Sequence, residues 1–141
     1  MTVSGPALRR LESHHAIHET ALAEAEELTN GLRVAWEHRD MERISAFAEL
    51  LFEHWETRIL AHADAEEDGF YKEVVTENES LSAAVLELRR DHHVMRRLWR
   101  DARTAVTTGA VEDMVQRFEA LILVDSIHSE DEESRLLARK P

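Results

Sequence analysis

Nine histidines and no cysteine in 141 residues set the chemistry open to this chain. Without thiols there is no disulfide, no thiolate metal site and no cysteine nucleophile. Imidazole and carboxylate remain, and one spacing joins them. His62 stands four residues before Glu66, and His128 four residues before Glu132. Residues four apart on a helix share a face, so each pair can grip one ion or two adjacent ions. The spacing alone is weak: chance supplies about one such pair in a chain of this composition, and four occur. Of the other two, His15/Glu19 leans off the apolar stripe of its segment and His38/Glu42 straddles a turn. Buried carboxylates need a compensating charge, and metal ions supply it.

The elements that would position these residues follow from the turns. Four glycines and two prolines, both prolines near the ends, leave a chain that can be almost all helix. Reversals are expected at Trp36 to Asp40, at Thr76 to Ser80 with Ser80 as a helix cap, and at Thr107-Thr108-Gly109. Four segments result, about 6–38, 41–75, 80–108 and 110–138. Short turns between long helices make antiparallel neighbours, hence an all-α, up-down-up-down four-helix bundle in one domain spanning 1–141. Two places could interrupt it: Thr29-Asn30-Gly31 in the first segment and Gly69 in the second.

Apolar residues recur in steps of three and four along each segment. The first runs from Leu8 and Leu11 through His14, His18, Ala25 and Leu32 to Trp36. The second carries Ile44, Leu51, His54 or Trp55, Arg58, His62 and Ala65 or Glu66. The third carries Val85, Leu88, His92, Met95, Ala102 and Val106, and the fourth Met114, Phe118, Asp125, His128 or Ser129, Glu132 and Leu136. Each helix thus puts a histidine on its core stripe. In antiparallel helices, two residues are level when the turn lies midway between them. The midpoints of His14/His62, His62/His92 and His92/His128 are 38, 77 and 110, each on or beside a turn placed from other residues. His14, His62, His92 and His128 should therefore lie at one level, with Glu66 and Glu132 one turn away. His18, one turn from His14, is a further ligand or a supporting group. Of the doublets His14-His15 and His92-His93, the first member sits nearer the stripe centre, and His93, about 100° round the helix from His92, should be solvated.

The formal charge of −12 argues against a nucleic-acid partner and against an anionic membrane surface. No stretch approaches the roughly 20 apolar residues of a membrane-spanning helix. Met1 to Arg10 hold no long apolar run, which points to a cytoplasmic protein. The four glycines are too scattered for a phosphate-binding loop.

The order His, His-x3-Glu, His, His-x3-Glu resembles the hemerythrin-like family, the HHE cation-binding domain. The segments that carry the likeness are Leu11 to Ile17, His62 to Tyr71, Arg90 to Met95 and His128 to Glu133, and their order runs over nearly the whole chain. The resemblance implies an oxo- or hydroxo-bridged di-iron site with Glu66 and Glu132 bridging the irons. Two positions depart from the oxygen carriers of that family. Arg96 stands where they have a second helix-three histidine, and Glu133 where they have an aspartate. The likeness is therefore to the bacterial branch, including actinobacterial members around Phe70-Tyr71, where a tyrosine can bind iron. Tyr71, the one tyrosine, is a candidate phenolate ligand.

By ligand type alone, imidazole with carboxylate suits iron, manganese or zinc. Four histidines and two bridging glutamates make about eight bonds, against roughly ten to twelve for two ions, so two to four positions stay open. Open positions on iron invite O2, peroxide or NO. Two functions are expected from this: redox turnover of a small oxidant, catalase-like with peroxide or as an oxidase, or binding and sensing of O2, NO or iron itself. Arg58 and Asp125, on the stripes beside the ligands, either pair with each other or act through a ligand, with Asp125 orienting a histidine. Alternatively Arg58 snorkels to the surface.

Overall fold

A computed structural model describes residues 11–137. The start of the first helix near residue 6, with Leu8, and the end of the fourth at 138 lie outside the described residues.

The described residues are all helical, in four long helices. Helix α1 is Leu11–Glu37. Helix α2 covers 41–77 and is not uniform. It begins as Met41–His54, widens into a π-turn at Trp55–Leu60, returns to α-helix over Ala61–Ala65, widens again at Glu66–Phe70 and ends as Tyr71–Glu77. Helix α3 is Ser82–Thr107, after a 3-10 turn at Glu79–Leu81. Helix α4 is Val111–Glu132, followed by a third π-turn at Glu133–Leu137.

The turns sit where the polar breaks stand. Both of the tighter ones end a helix with the same paired bonds. Asp40 N–H reaches Ala35 O while Arg39 N–H reaches Trp36 O, and Ala110 N–H reaches Ala105 O while Gly109 N–H reaches Val106 O. This Schellman closure needs a left-handed residue. Gly109 supplies it at φ 76°, and Arg39 adopts it at φ 52° despite its side chain. Asp40 then caps α2, accepting from Arg43 N–H. At the second turn Ser80 is not the cap. Asn78 takes that role with its Oδ1, and the Ser80 N–H and hydroxyl both donate to it.

Neither expected interruption breaks a helix. Thr29 donates its hydroxyl to Ala25 O, inside α1. Gly31 is there because the Phe47 ring of α2 lies against its backbone: a Cβ would stand 2.4 Å from that ring. Gly69 falls in the second π-turn, through which α2 continues.

The buried positions follow the helical period, with two shifts. Val106 is exposed and Ala105 is buried in its place. Arg58 is exposed, and Ile59 takes the core position between Trp55 and His62. The cause is the first π-turn. Its Ala61 N–H bonds to Glu56 O, five residues back, so it holds one residue more than an α-turn and re-phases what it contains.

Two apolar cores result. The larger contains Ala25, Leu32, Trp55, Ile59, Met95, Phe118 and Leu121, and the smaller Phe70, Tyr71, Val74, Leu88 and Leu136. Burial of each large side chain contributes roughly 1.5–3 kcal/mol. Between the cores every helix turns polar: His14 and His18 precede Ala25, His62 and Glu66 separate Ile59 from Phe70, His92 separates Leu88 from Met95, and His128 and Glu132 separate Leu121 from Leu136. Among the described residues no helix is long and apolar enough to cross a membrane.

Candidate metal centre

Seven side chains from four helices converge in this polar layer: His14 and His18 of α1, His62 and Glu66 of α2, His92 of α3, and His128 and Glu132 of α4. None is more than 9 % exposed. They form two groups, His14, His18, His62 and Glu66, and Glu66, His92, His128 and Glu132. Within each group the donor atoms lie within 4.8 Å of one another.

The two carboxylates join the groups. Glu66 Oε2 is 2.8 Å from His14 Nε2, 3.4 Å from His62 Nε2 and 3.7 Å from His18 Nε2, whereas its Oε1 is 3.2 Å from His92 Nε2. Glu132 is arranged likewise. Its Oε1 is 2.9 Å from His14 Nε2 and 3.5 Å from His18 Nε2, and its Oε2 is 3.4 Å from His128 Nε2. Each carboxylate therefore shows one oxygen to a three-histidine side and the other to a two-histidine side. Tyr71 belongs to the second side: its hydroxyl donates to Glu132 Oε2, lies 3.5 Å from His92 Nε2, and its ring stacks on that imidazole.

The donor set fits metal ions better than it fits itself. His92 Nε2 and His128 Nε2 face each other at 3.0 Å, where at most one proton lies between them. His62 Nε2 is buried with no hydrogen bond. An unsatisfied buried polar atom costs about 1–3 kcal/mol. A cation on each side would make ligands of these converging lone pairs.

The electrostatics point the same way. Burial would push His14 down, but Glu132 and Glu66 outweigh it and raise it to about 9. Burial is likewise outweighed at His128, which Asp91 and Glu132 raise to about 10, and at His92, raised by Glu66 and Glu67. Burial alone would raise Glu66, yet the polar groups around it, Glu132 first and then His14, His18 and His62, hold it well below the usual carboxylate range. Tyr71 is pushed up, first by burial and then by Glu66 and Glu132. The site carries positive charge from protons here, and a metal would replace those protons.

Comparisons with family models, with curated proteins and with solved structures returned no match.

A supporting layer lies behind the two-histidine side. His92 Nδ1–H donates to Glu67 Oε2 at 2.9 Å, and His128 Nδ1–H to Asp91 Oδ2 at 2.9 Å. Arg96 holds Glu67 at 2.5 Å and Asp64 at 2.7 Å. Burial would raise Glu67, but His92 and Arg96 bring it down to about 2. Such carboxylates fix the ring that binds a metal and raise its basicity. On the three-histidine side the Nδ1 atoms of His14 and His18 are buried without a partner.

Asp125 does not hold His128; Asp91, on the facing helix, does. Asp125 is buried, and burial pushes its carboxyl up. No ion pair joins it to Arg58, although both line a small cavity beside the histidines. The remaining histidines stand apart. His15 is exposed and pairs with Glu19 and Glu133, and His93 and His38 are exposed. His54 is buried and donates to Ala21 O. Glu67 and Asp91 each adjoin a ligand in sequence, at Glu66-Glu67 and Asp91-His92, and that doublet is the signal that could have marked them.

Proposed function

We propose that this chain is a hemerythrin-like protein that holds two iron ions. His14, His18 and His62 would hold one ion, His92 and His128 the other, and Glu66 and Glu132 would reach both. Tyr71 stands beside the second ion. In this reading the four helices form one up-down-up-down domain. The observation that carries it is the pair of buried carboxylates that each turn one oxygen to either side. Manganese or zinc suits the same donors, and the resemblance of the ligand order favours iron.

A bound iron pair supplies electron exchange with a small oxidant at its open positions. What the chain's own residues admit is set by the cavity lined by His18, His62, Asp125 and His128. Its volume is about 10 Å³, room for a single water-sized molecule. An organic substrate does not fit that space, so the cavity favours the smallest ligands, of the class of peroxide or a diatomic gas. Disproportionation of peroxide to water and dioxygen needs a proton moved between its two oxygens. Asp125 lines the cavity, and burial raises its carboxyl, so it is the titratable oxygen placed to exchange a proton there.

A second reading, binding or sensing of O2, NO or iron without turnover, has its own observation. His18 joins the first group, so fewer positions stay open than four histidines would leave. The test is to purify the protein without chelators, measure its metal and absorption spectrum, and add peroxide under an oxygen electrode. About two irons per chain with rapid O2 release supports turnover. Two irons without O2 release favours the binding reading. Zinc alone, or no metal, overturns both.

A further inference from the structure

A second cavity, about 560 Å³, opens between the end of α2 and the start of α3. Its walls include the apolar Val75, Val85 and Leu86 and the ring of Tyr71, and Lys72 and Arg89 bring two cations to it. The hydroxyls of its three hydroxyl-bearing residues are engaged: Tyr71 donates to Glu132 Oε2, Thr76 to Lys72 O and Ser82 to Glu79 O. The polar capacity left there belongs to the two cations.

Those cations lack the partners that a chain of net charge −12 could readily supply. Among the described residues neither Lys72 nor Arg89 forms an ion pair, and Arg89 Nε is buried without a hydrogen-bond partner. Glu87, two residues before Arg89, is taken up by Arg135 at 3.2 Å. A buried guanidinium nitrogen with nothing to donate to is costly, and a carboxylate is its best-matched acceptor. A pocket with mostly apolar walls and a few convergent polar groups is the usual form of a small-molecule site.

We propose that this cavity binds a small organic carboxylate, its apolar body against Val75, Val85 and Leu86 and its carboxylate on Arg89 and Lys72. The site is separate from the metal centre and shares one wall with it, the Tyr71 ring. It requires no metal, so its failure and the failure of the metal reading are independent.

The test is calorimetric titration of the protein as isolated with benzoate, and with benzyl alcohol as the uncharged analogue. Benzoate is expected to bind saturably, once per chain. Benzyl alcohol should bind at least about tenfold more weakly, because a charge-assisted hydrogen bond is worth that much. Arg89→Gln and Lys72→Gln should each weaken benzoate by about tenfold. Leu86→Glu sets a carboxylate on an exposed wall position, where folding tolerates it, and should weaken benzoate at least as much. Arg103→Gln, a cation outside this cavity, should leave binding unchanged. No saturable benzoate binding, binding of benzyl alcohol as tight as benzoate, or full binding by Leu86→Glu would overturn the proposal.

Discussion

At the scale of single residues, the site depends most on Glu66, the one residue common to both donor groups. Glu66→Gln keeps the shape but removes the charge and one ligating oxygen. The expected outcome is loss of most metal from both positions, read as metal per chain after purification. His14→Ala should empty mainly one position. Protons tell a parallel story. In the metal-free protein, His14 and His128 hold theirs up to about 9 and about 10, against 6.5 for a free imidazole. Groups raised in this way stabilise the fold fully below the unfolded value, and the gain is lost as pH rises through the folded one. Glu67, lowered from 4.5 to about 2, works the opposite way: its contribution is present above 4.5 and lost as pH falls toward 2. Thermal melts of chelated protein should therefore show highest stability between about pH 4.5 and 6.5, with Tm declining up to pH 10. Metal loading displaces the histidine protons, so the alkaline decline should shrink in loaded protein.

At the scale of helices, period and punctuation made much of the architecture legible, and bonding between helices hid the rest. The turns at Asp40, Asn78 and Gly109 could be placed because each carries residues that only a turn favours. His14, His62, His92 and His128 could be placed together because three midpoints fell on those turns. The π-turns left no such mark. Nothing in Trp55-Glu56-Thr57-Arg58-Ile59-Leu60 announces an extra residue, so Arg58 reads as core and Ile59 as its neighbour, the reverse of the structure. Asp125 drew attention as the carboxylate on the ligand's own helix, yet a ring nitrogen pointing off α4 meets α3, where Asp91 stands. Replacing Asp91 by Asn, or Glu67 by Gln, should weaken metal binding at the two-histidine position by roughly 10- to 100-fold and spare the other. Competition with a chelator should show one position weakened and the other unchanged. Two backbone predictions belong here as well. Gly109→Ala forces a side chain into the left-handed region and should cost about 1 kcal/mol or more in denaturant unfolding. Gly31→Ala drives a methyl into the Phe47 ring and should cost about 1–3 kcal/mol.

At the scale of the whole molecule, two apolar cores enclose a charged layer, and a cavity of about 10 Å³ adjoins that layer. A hydrated metal ion is far larger than that cavity, so if the layer takes up metal the helices must give way to admit it. Something has to part, and the backbone is not equally closed everywhere. The wide rings at Trp55–Leu60, Glu66–Phe70 and Glu133–Leu137 surround His62, Glu66 and Glu132, the donors that must move least once an ion is in. The same rings are the least regular stretches of their helices and the first that thermal motion would open. If the layer binds metal, uptake is thus a matter of waiting rather than of attraction. The rate should be set by how often those stretches breathe, should hardly change with metal concentration once ions are plentiful, and should rise steeply with temperature.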